Sequence, residues 1–318
     1  MTRVASIGEC MIELRQATGG QPGGLYSRSY GGDTLNTAVY LSRLGVHIDY
    51  ITALGDDGLS DEMIAGWAAE GIGTKHVARL TGKLPGLYLI QTDDKGERRF
   101  FHWRDSAAAR ELMDLPETDD ILNSLATYDI VYLSAITLSI LREDGRERLM
   151  AALKRARLLG TRFAFDTNFR ARGWPDLGVA RSVFSSAFDT ADIVLASTED
   201  LAPLYPGESN TALLAGISSP EVVLKLAEPA CIVRSATGTT EVRAEPLIKP
   251  VVDTTAAGDS FAAAYLAARL GGAEPAEAAR AGHRLAGVVV CYPGAIIPRY
   301  AMPPKKAPRP PPSRKASQ

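Results

Sequence analysis

Asp253-Thr254-Thr255-Ala256-Ala257-Gly258-Asp259-Ser260-Phe261 is the stretch on which the reading of this chain turns. A run of small residues ends in an acid at 259, and a helical apolar pattern begins at Phe261. Small residues let the backbone approach a ligand closely. The unpaired N–H groups of a helix start favour an anion, most often phosphate. An acid beside such an anion hole is placed to take a proton from a hydroxyl. Together these parts point to phosphoryl transfer from a nucleotide to an alcohol. Taken alone, the run also fits a capped helix with Ala and Gly for close packing.

Outward from this stretch, apolar runs alternate with helical patterns. Strands are predicted at Val4 to Ile7, Ile48 to Ala53, Ile130 to Leu133, Phe163 to Asp166, Ile193 to Ala196 and Cys231 to Arg234. Helices are predicted at Thr34 to Leu44, Ser60 to Glu70, Glu143 to Leu159 and Val179 to Phe188. This alternation predicts an α/β fold with a mainly parallel central sheet. Ligands of such sheets bind beyond the carboxyl ends of the strands. Two regions, 11–31 and 85–105, break the alternation and read as added strands. Within them Leu87 to Thr92, a turn at 93–96, and Arg98 to Trp103 form a predicted hairpin.

The 318 residues suffice for one large domain with a full core. Hydrophobic content is 46% and charged content 23%, as in ordinary soluble globular proteins. A net charge of −2 gives no reason to expect nucleic acid or a membrane surface as partner. Three scattered cysteines fit free thiols in a reducing cytoplasm. Four dispersed histidines give no zinc spacing. Residues 303–318 hold six prolines and five Lys or Arg with no acid, so this tail is expected to be disordered outside a domain spanning 1–302.

Further candidates follow the predicted strands. Gly31-Gly32-Asp33-Thr34-Leu35-Asn36 opens a helix with Asp33 or Thr34 as N-cap and Gly45 as its stop. Asp33 and Asn36 on that rim can hydrogen-bond sugar hydroxyls. His102-Trp103-Arg104 ends the hairpin, and the planar fork of Arg104 matches a carboxylate, a group that a neutral sugar would not need. Asp166-Thr167-Asn168-Phe169-Arg170 follows one strand, and Ser197-Thr198-Glu199-Asp200 another, where either acid also serves as a helix-start acid. Lys225 precedes Leu226-Ala227-Glu228-Pro229-Ala230, and Ser235-Ala236-Thr237-Gly238 forms a turn.

These motifs, in this order from about Val4 to Pro298, resemble the ribokinase-type (PfkB) carbohydrate kinases. The family pattern D-T-x-G-A-G-D is met except that Ala256 stands for the first glycine, a mild change if 256 adopts helical angles. The resemblance implies a three-layer α/β/α domain, with 11–31 and 85–105 as a β-sheet lid over the sugar site. It implies Asp259 as catalytic base and the N–H groups of Ala256, Ala257, Gly258 and Asp259 as the phosphoryl hole. Gly32, Asp33, Asn36, Tyr88, His102 and Arg104 would contact substrate, as in the 2-keto-3-deoxygluconate kinase branch, where His102 replaces a usual Tyr. Asn168 and Arg170 would reach phosphates or substrate, with Arg170 a catalytic cation that offsets charge on the transferred phosphate. Lys225, Ser235, Thr237 and Gly238 would serve the ATP site, with 282–286 on its other side. Both glycines that many members carry after this lysine are alanines here, Ala227 and Ala230. Asp200, or Glu199, would help organise Mg²⁺ through water. Pairing of copies through lid sheets is a further implication. The expected reaction is ATP-dependent phosphorylation of 2-keto-3-deoxy-D-gluconate at its primary hydroxyl. The alternatives are another sugar kinase of this fold, such as a fructokinase or ribokinase, and a non-catalytic sugar- or nucleotide-binding protein.

Overall fold

The computed structural model of the chain describes residues 2–16, 24–92, 98–247 and 249–303. The hairpin turn at 93–97 and the tail from 304 lie outside the described residues. Thirteen strands are described: β1 (Arg3–Ile7), β2 (Met11–Gln16), β3 (Tyr26–Gly31), β4 (His47–Gly55), β5 (Val77–Leu80), β6 (Leu87–Thr92), β7 (Arg98–Trp103), β8 (Ile130–Ser134), β9 (Arg162–Asp166), β10 (Ile193–Ser197), β11 (Glu221–Lys225), β12 (Ala230–Ser235) and β13 (Gly238–Arg243). Nine form one sheet in the order β13-β12-β11-β10-β9-β8-β1-β4-β5. From β11 to β5 every pairing is parallel, and β12 and β13 close one edge antiparallel.

The inner strands alternate between two buried layers because side chains of a strand point to opposite faces. Val131 and Leu133, Phe163 and Phe165, and Val194 and Ala196 face one layer, which packs on the helices Glu143–Leu158 and Leu177–Thr190. Ile130 and Tyr132, Ala164, and Ile193 and Leu195 face the other, which packs on the helices Asp33–Arg43, Gly58–Ala69, Ala257–Leu270 and Pro275–Val289. This is the expected three-layer α/β/α arrangement. No helix among the described residues is long and apolar enough to cross a membrane. The three cysteines are free, with Cys10 and Cys231 buried and Cys291 half-buried.

Strand order runs outward from β1 in both directions, to β4 on one side and β8 on the other. Such a switch point opens a crevice at the carboxyl ends of its strands. The segments 8–9, 166–168, 197–200 and 225 all follow carboxyl ends of parallel strands. The other four strands form a second sheet, β3-β2-β6-β7. Its strands β6 and β7 are those of the expected hairpin and pair antiparallel, Leu87 with Trp103 and Thr92 with Arg98.

Candidate active site

The chain enters the helix Ala257–Leu270 through a turn built on Asp253. The Asp253 carboxylate accepts from the Thr255 amide at 3.0 Å and hydroxyl at 2.6 Å through Oδ1, and from the Gly294 amide at 2.9 Å through Oδ2. Ala256 then takes φ 59° and ψ 17°, the only non-glycine left-handed residue among the described residues. The expectation that Ala256 holds helical angles is therefore corrected. The family pattern places glycine where the backbone is left-handed, and alanine there costs about 1–2 kcal/mol. The Ala257 amide closes this turn by donating to the Thr254 carbonyl at 3.2 Å, so the helix-start N–H groups left facing the crevice are those of Gly258 and Asp259.

Asp259 stands in the first turn of that helix. The Asn36 side-chain amide donates to its Oδ2 at 2.8 Å, across 223 residues of sequence. Thr37 Oγ1 lies 3.3 Å from the Asp259 carbonyl oxygen and also donates to Asp33 O. Burial raises the Asp259 pKa, the charge of Asp33 adds to this, and the Asn36 bond opposes it, leaving it pushed up to about 8. Asn36 thus holds the acid itself, a relation its sequence position did not reveal.

The helix Asp33–Arg43 begins differently from the expectation. Its N-cap is Gly32, with no side-chain cap, and Asp33 is the first helical residue. A Cβ on Gly32 would collide with the Glu9 carbonyl oxygen, so close backbone approach explains the glycine. Released from capping, Asp33 Oδ2 accepts from Asn168 Nδ2 at 2.6 Å. Gly45, at φ 91°, ends the helix as predicted.

Lys225 reaches the phosphoryl turn from the end of β11. A Cβ placed on Gly258 would lie 3.6 Å from its ammonium. Its Nζ is 3.4 Å from Asp166 Oδ2. Burial alone would lower the lysine pKa, but the charges of Asp166 and Asp200 outweigh it and raise the value, so the side chain stays cationic. Arg170 is placed otherwise. Its side chain is 60% exposed, 3.4 Å from Asp200 and bonded to the Phe169 carbonyl. Asp200 anchors the 167–170 loop through Thr167 Oγ1 at 2.9 Å and the Phe169 amide at 3.1 Å, while Ser197 caps the short helix beneath. Glu199 points outward and is exposed.

The second sheet brings Arg104 into the crevice, where its Nη2 donates to Glu9 Oε2. Glu9 is 2% exposed. Burial raises its pKa, and Arg104 opposes that shift. Glu9 Oε1 and Arg104 Nε are buried without a partner among the described residues. Sequence reading missed Glu9, whose signal was an acid placed directly after Gly8 at the end of β1. Tyr88 donates to Glu13 Oε2 at 2.5 Å and stacks on His102 with ring centroids 5.9 Å apart. Burial, with the charges of Arg104 and Arg172, keeps His102 neutral by lowering its pKa.

Ser235, Thr237 and Gly238 are not brought to this crevice. Strand β12 runs antiparallel, pairing Cys231 with Lys225 and Arg234 with Val222, so the chain returns to the amino ends of the sheet before the turn. There the three residues help line a separate cleft of about 360 Å³ with Glu274 and Pro275. Gly282 is taken up by packing, since a Cβ there would overlap the Phe261 ring. No cluster of three or more metal-ligating side chains exists among the described residues.

A family model described as pfkB family carbohydrate kinase matches residues 1–301. The chain is 45% identical over 311 residues to a 2-dehydro-3-deoxygluconokinase of Dickeya dadantii, covering 94% of this chain and 98% of that one. It is 41% identical over 310 residues to a protein of the same name from Escherichia coli K12, covering 95% and 99%. Its fold superposes on a fructokinase with bound ATP from Xylella fastidiosa with a TM-score of 0.80 at 23% identity, covering 95% of each chain. With the family pattern running through both layers of helices and the second sheet, the chain belongs to the pfkB family of carbohydrate kinases.

Proposed function

We propose that this chain phosphorylates 2-keto-3-deoxy-D-gluconate on its primary hydroxyl, with ATP as donor, in the cytoplasm. The observation that carries the proposal is the Asp259 carboxylate, held by Asn36 at 2.8 Å beside the Ala256–Asp259 amides and the Lys225 ammonium. The names of the two relatives support the substrate, and the ATP-bound structural neighbour supports the donor.

In this reading the substrate hydroxyl oxygen forms a bond to the γ-phosphorus, and the bond from that phosphorus to the β,γ-bridging oxygen breaks. The hydroxyl proton passes to Asp259 Oδ, and ADP leaves with the bonding electrons. The amides of Gly258 and Asp259 stabilise charge on the transferring group, while that of Ala257 holds the turn through the Thr254 carbonyl. Lys225 sits nearest that turn, so it takes the charge-sharing role for which Arg170 was the sequence candidate; Arg170 remains available at the rim for substrate or nucleotide. Mg²⁺ carried on the nucleotide would offset phosphate charge, with Asp200 at the 167–170 loop the acid placed to hold its water; Glu199, which points outward, does not take that part. Asn168 sets Asp33 for the sugar hydroxyls, with Gly32 permitting close approach. The sheet β3-β2-β6-β7 acts as lid, and its Arg104, Tyr88 and His102 face the sugar acid. Lid closure excludes water from the transferring phosphoryl group.

The test is ADP release with Mg-ATP over a panel of 2-keto-3-deoxygluconate, its galactonate epimer, gluconate, fructose and ribose, with Asp259→Ala as control. Turnover confined to the keto-deoxy acids and lost in Asp259→Ala is expected. Preference for fructose or ribose would transfer the chain to the neutral-sugar kinases. Turnover on nothing, with nucleotide still bound, would make it a binding protein. Arg104 needs a matched background, because its removal alone strands the buried Glu9 charge. In Glu9→Gln, the further change Arg104→Ala should weaken keto-deoxy acid binding by about 1.5–3 kcal/mol.

A further inference from the structure

The turn that holds Ala256 left-handed is tied to the lid. Asp253 is 3% exposed, and its side chain organises the turn through Thr255 and Gly294. A cation stands beside this buried carboxylate, and it comes from another sheet. Arg15 of β2 places Nη1 3.5 Å from Asp253 Oδ2. Its Nε lies 3.4 Å from Glu13 Oε1 on the same strand. Glu13 in turn accepts from Tyr88 of β6 and from Ser29 of β3. Glu13 and Tyr88 are register partners, as are Glu13 and Ser29, so three of the four lid strands meet at this carboxylate. A continuous polar chain therefore runs from Tyr88 through Glu13, Arg15 and Asp253 to Thr255, the residue before Ala256.

We propose that Arg15 is a positioning residue that couples the lid to the phosphoryl-transfer turn, so that the 253–258 backbone reaches its working geometry only with the lid in place. The inference rests on the kinase reading for its consequence in turnover. The physical reason is local. A left-handed alanine persists only where surrounding bonds over-determine it. The Asp253 carboxylate supplies those bonds, and an opposite charge within ion-pair distance fixes it in its buried place. Because that charge rides on a lid strand, displacement of β2 loosens the turn. A lid that is open then presents a poorer anion hole, and ATP in the absence of sugar is protected from attack by water.

The test uses the full chain with Arg15→Met, which keeps the length of the side chain, and Arg15→Lys, which returns a cation. Two readouts are taken. In the free protein, amide hydrogen exchange over 253–258 should quicken on the order of tenfold in Arg15→Met and recover most of the way in Arg15→Lys. In turnover with the keto-deoxy acid, kcat should fall on the order of tenfold in Arg15→Met with KM for the sugar acid little changed, and Arg15→Lys should recover it. A general packing defect would instead speed exchange across the helix Ala257–Leu270 and leave Arg15→Lys no better than Arg15→Met. Exchange and kcat both within twofold of the unaltered chain in Arg15→Met would overturn the coupling. If the unaltered chain phosphorylates no keto-deoxy acid, the function reading fails, and the exchange measurement still decides the link between Arg15 and the turn.

Discussion

Ala256 and Asp259 lie three residues apart and carry opposite kinds of cost. Ala256 is held at φ 59° with a side chain that disfavours it. Replacing it by glycine removes that clash while retaining the amide. Ala256→Gly should stabilise the protein by about 1 kcal/mol, seen as a higher thermal midpoint, with kcat within a few-fold of the unaltered chain. A lower midpoint would mean that the left-handed angle is not strained here. Asp259 carries an electrostatic cost, since burial and the Asp33 charge push its pKa up to about 8. The base works only when ionised, so kcat/KM should rise with pH up to about 8 and level off above it. At pH 6 it should be about a hundredfold below the plateau. A flat profile between pH 6 and 9 would remove Asp259 as the titrating base. Linkage gives the matching sign in stability. The folded state holds this proton more tightly than the unfolded chain, so stability present below the ordinary carboxylate range is lost as pH rises toward 8. Asp259→Asn should therefore raise the thermal midpoint at pH 8 and leave it unchanged near pH 3.

At the scale of elements, the site is made by strand ends and helix starts that meet far from where they stand in sequence. The parallel strands Arg3–Ile7, His47–Gly55, Ile130–Ser134, Arg162–Asp166 and Ile193–Ser197 were legible because they are apolar on both faces. Val77–Leu80 is only four residues long and carries Arg79, and Gly238–Arg243 is an exposed edge rich in Thr and Glu, so neither stood out. Glu221–Lys225 was hidden by charged residues at both its ends. The same limit governs the site. Short motifs revealed Asp259, Asn36 and Arg104, since each sits in a local turn or helix-start pattern. They did not reveal that Asn36 grips Asp259, that Glu9 grips Arg104, or that β12 carries the Ser235–Gly238 turn away from the crevice. Those relations depend on sheet order and strand direction, which no local pattern encodes. The ion pair between Lys225 on β11 and Asp166 on β9 is the sharpest example. Lys225→Met should lower kcat about 10²–10³-fold, the effect of losing one charged group from a phosphoryl hole. Asp166→Asn in the same chain restores charge balance. If the double variant recovers the thermal midpoint but not kcat, Lys225 acts on the phosphoryl group. If it recovers both, the pair is structural.

At the scale of the whole molecule, the second sheet has two unlike faces. Glu13, Arg15, Tyr88 and His102 share one face by strand alternation and register, and this face carries the polar chain to the phosphoryl turn. Leu14, Leu87, Leu89, Phe101 and Trp103 share the other. Part of that apolar face is covered by the main body, where Leu14 and Tyr30 pack on the layer containing Trp67. Its β7 end is open, with Phe101 43% and Trp103 60% exposed. Together they add an apolar patch to the open face of the sheet, the kind of surface through which proteins associate. We propose that two copies of the chain pair through this face, which would also bury the edge strand β7 against unwanted strand addition. Light scattering during size-exclusion chromatography should give about twice the chain mass of 34.0 kDa. Phe101→Ser with Trp103→Ser should reduce this to one chain mass. The polar face is untouched by these changes, so the variant should still bind nucleotide. Its KM for the sugar acid should rise, because a lid without its partner closes less firmly over the substrate. A single chain mass for the unaltered protein at micromolar concentration would remove the pairing and leave Phe101 and Trp103 as solvent-facing residues of a lone lid.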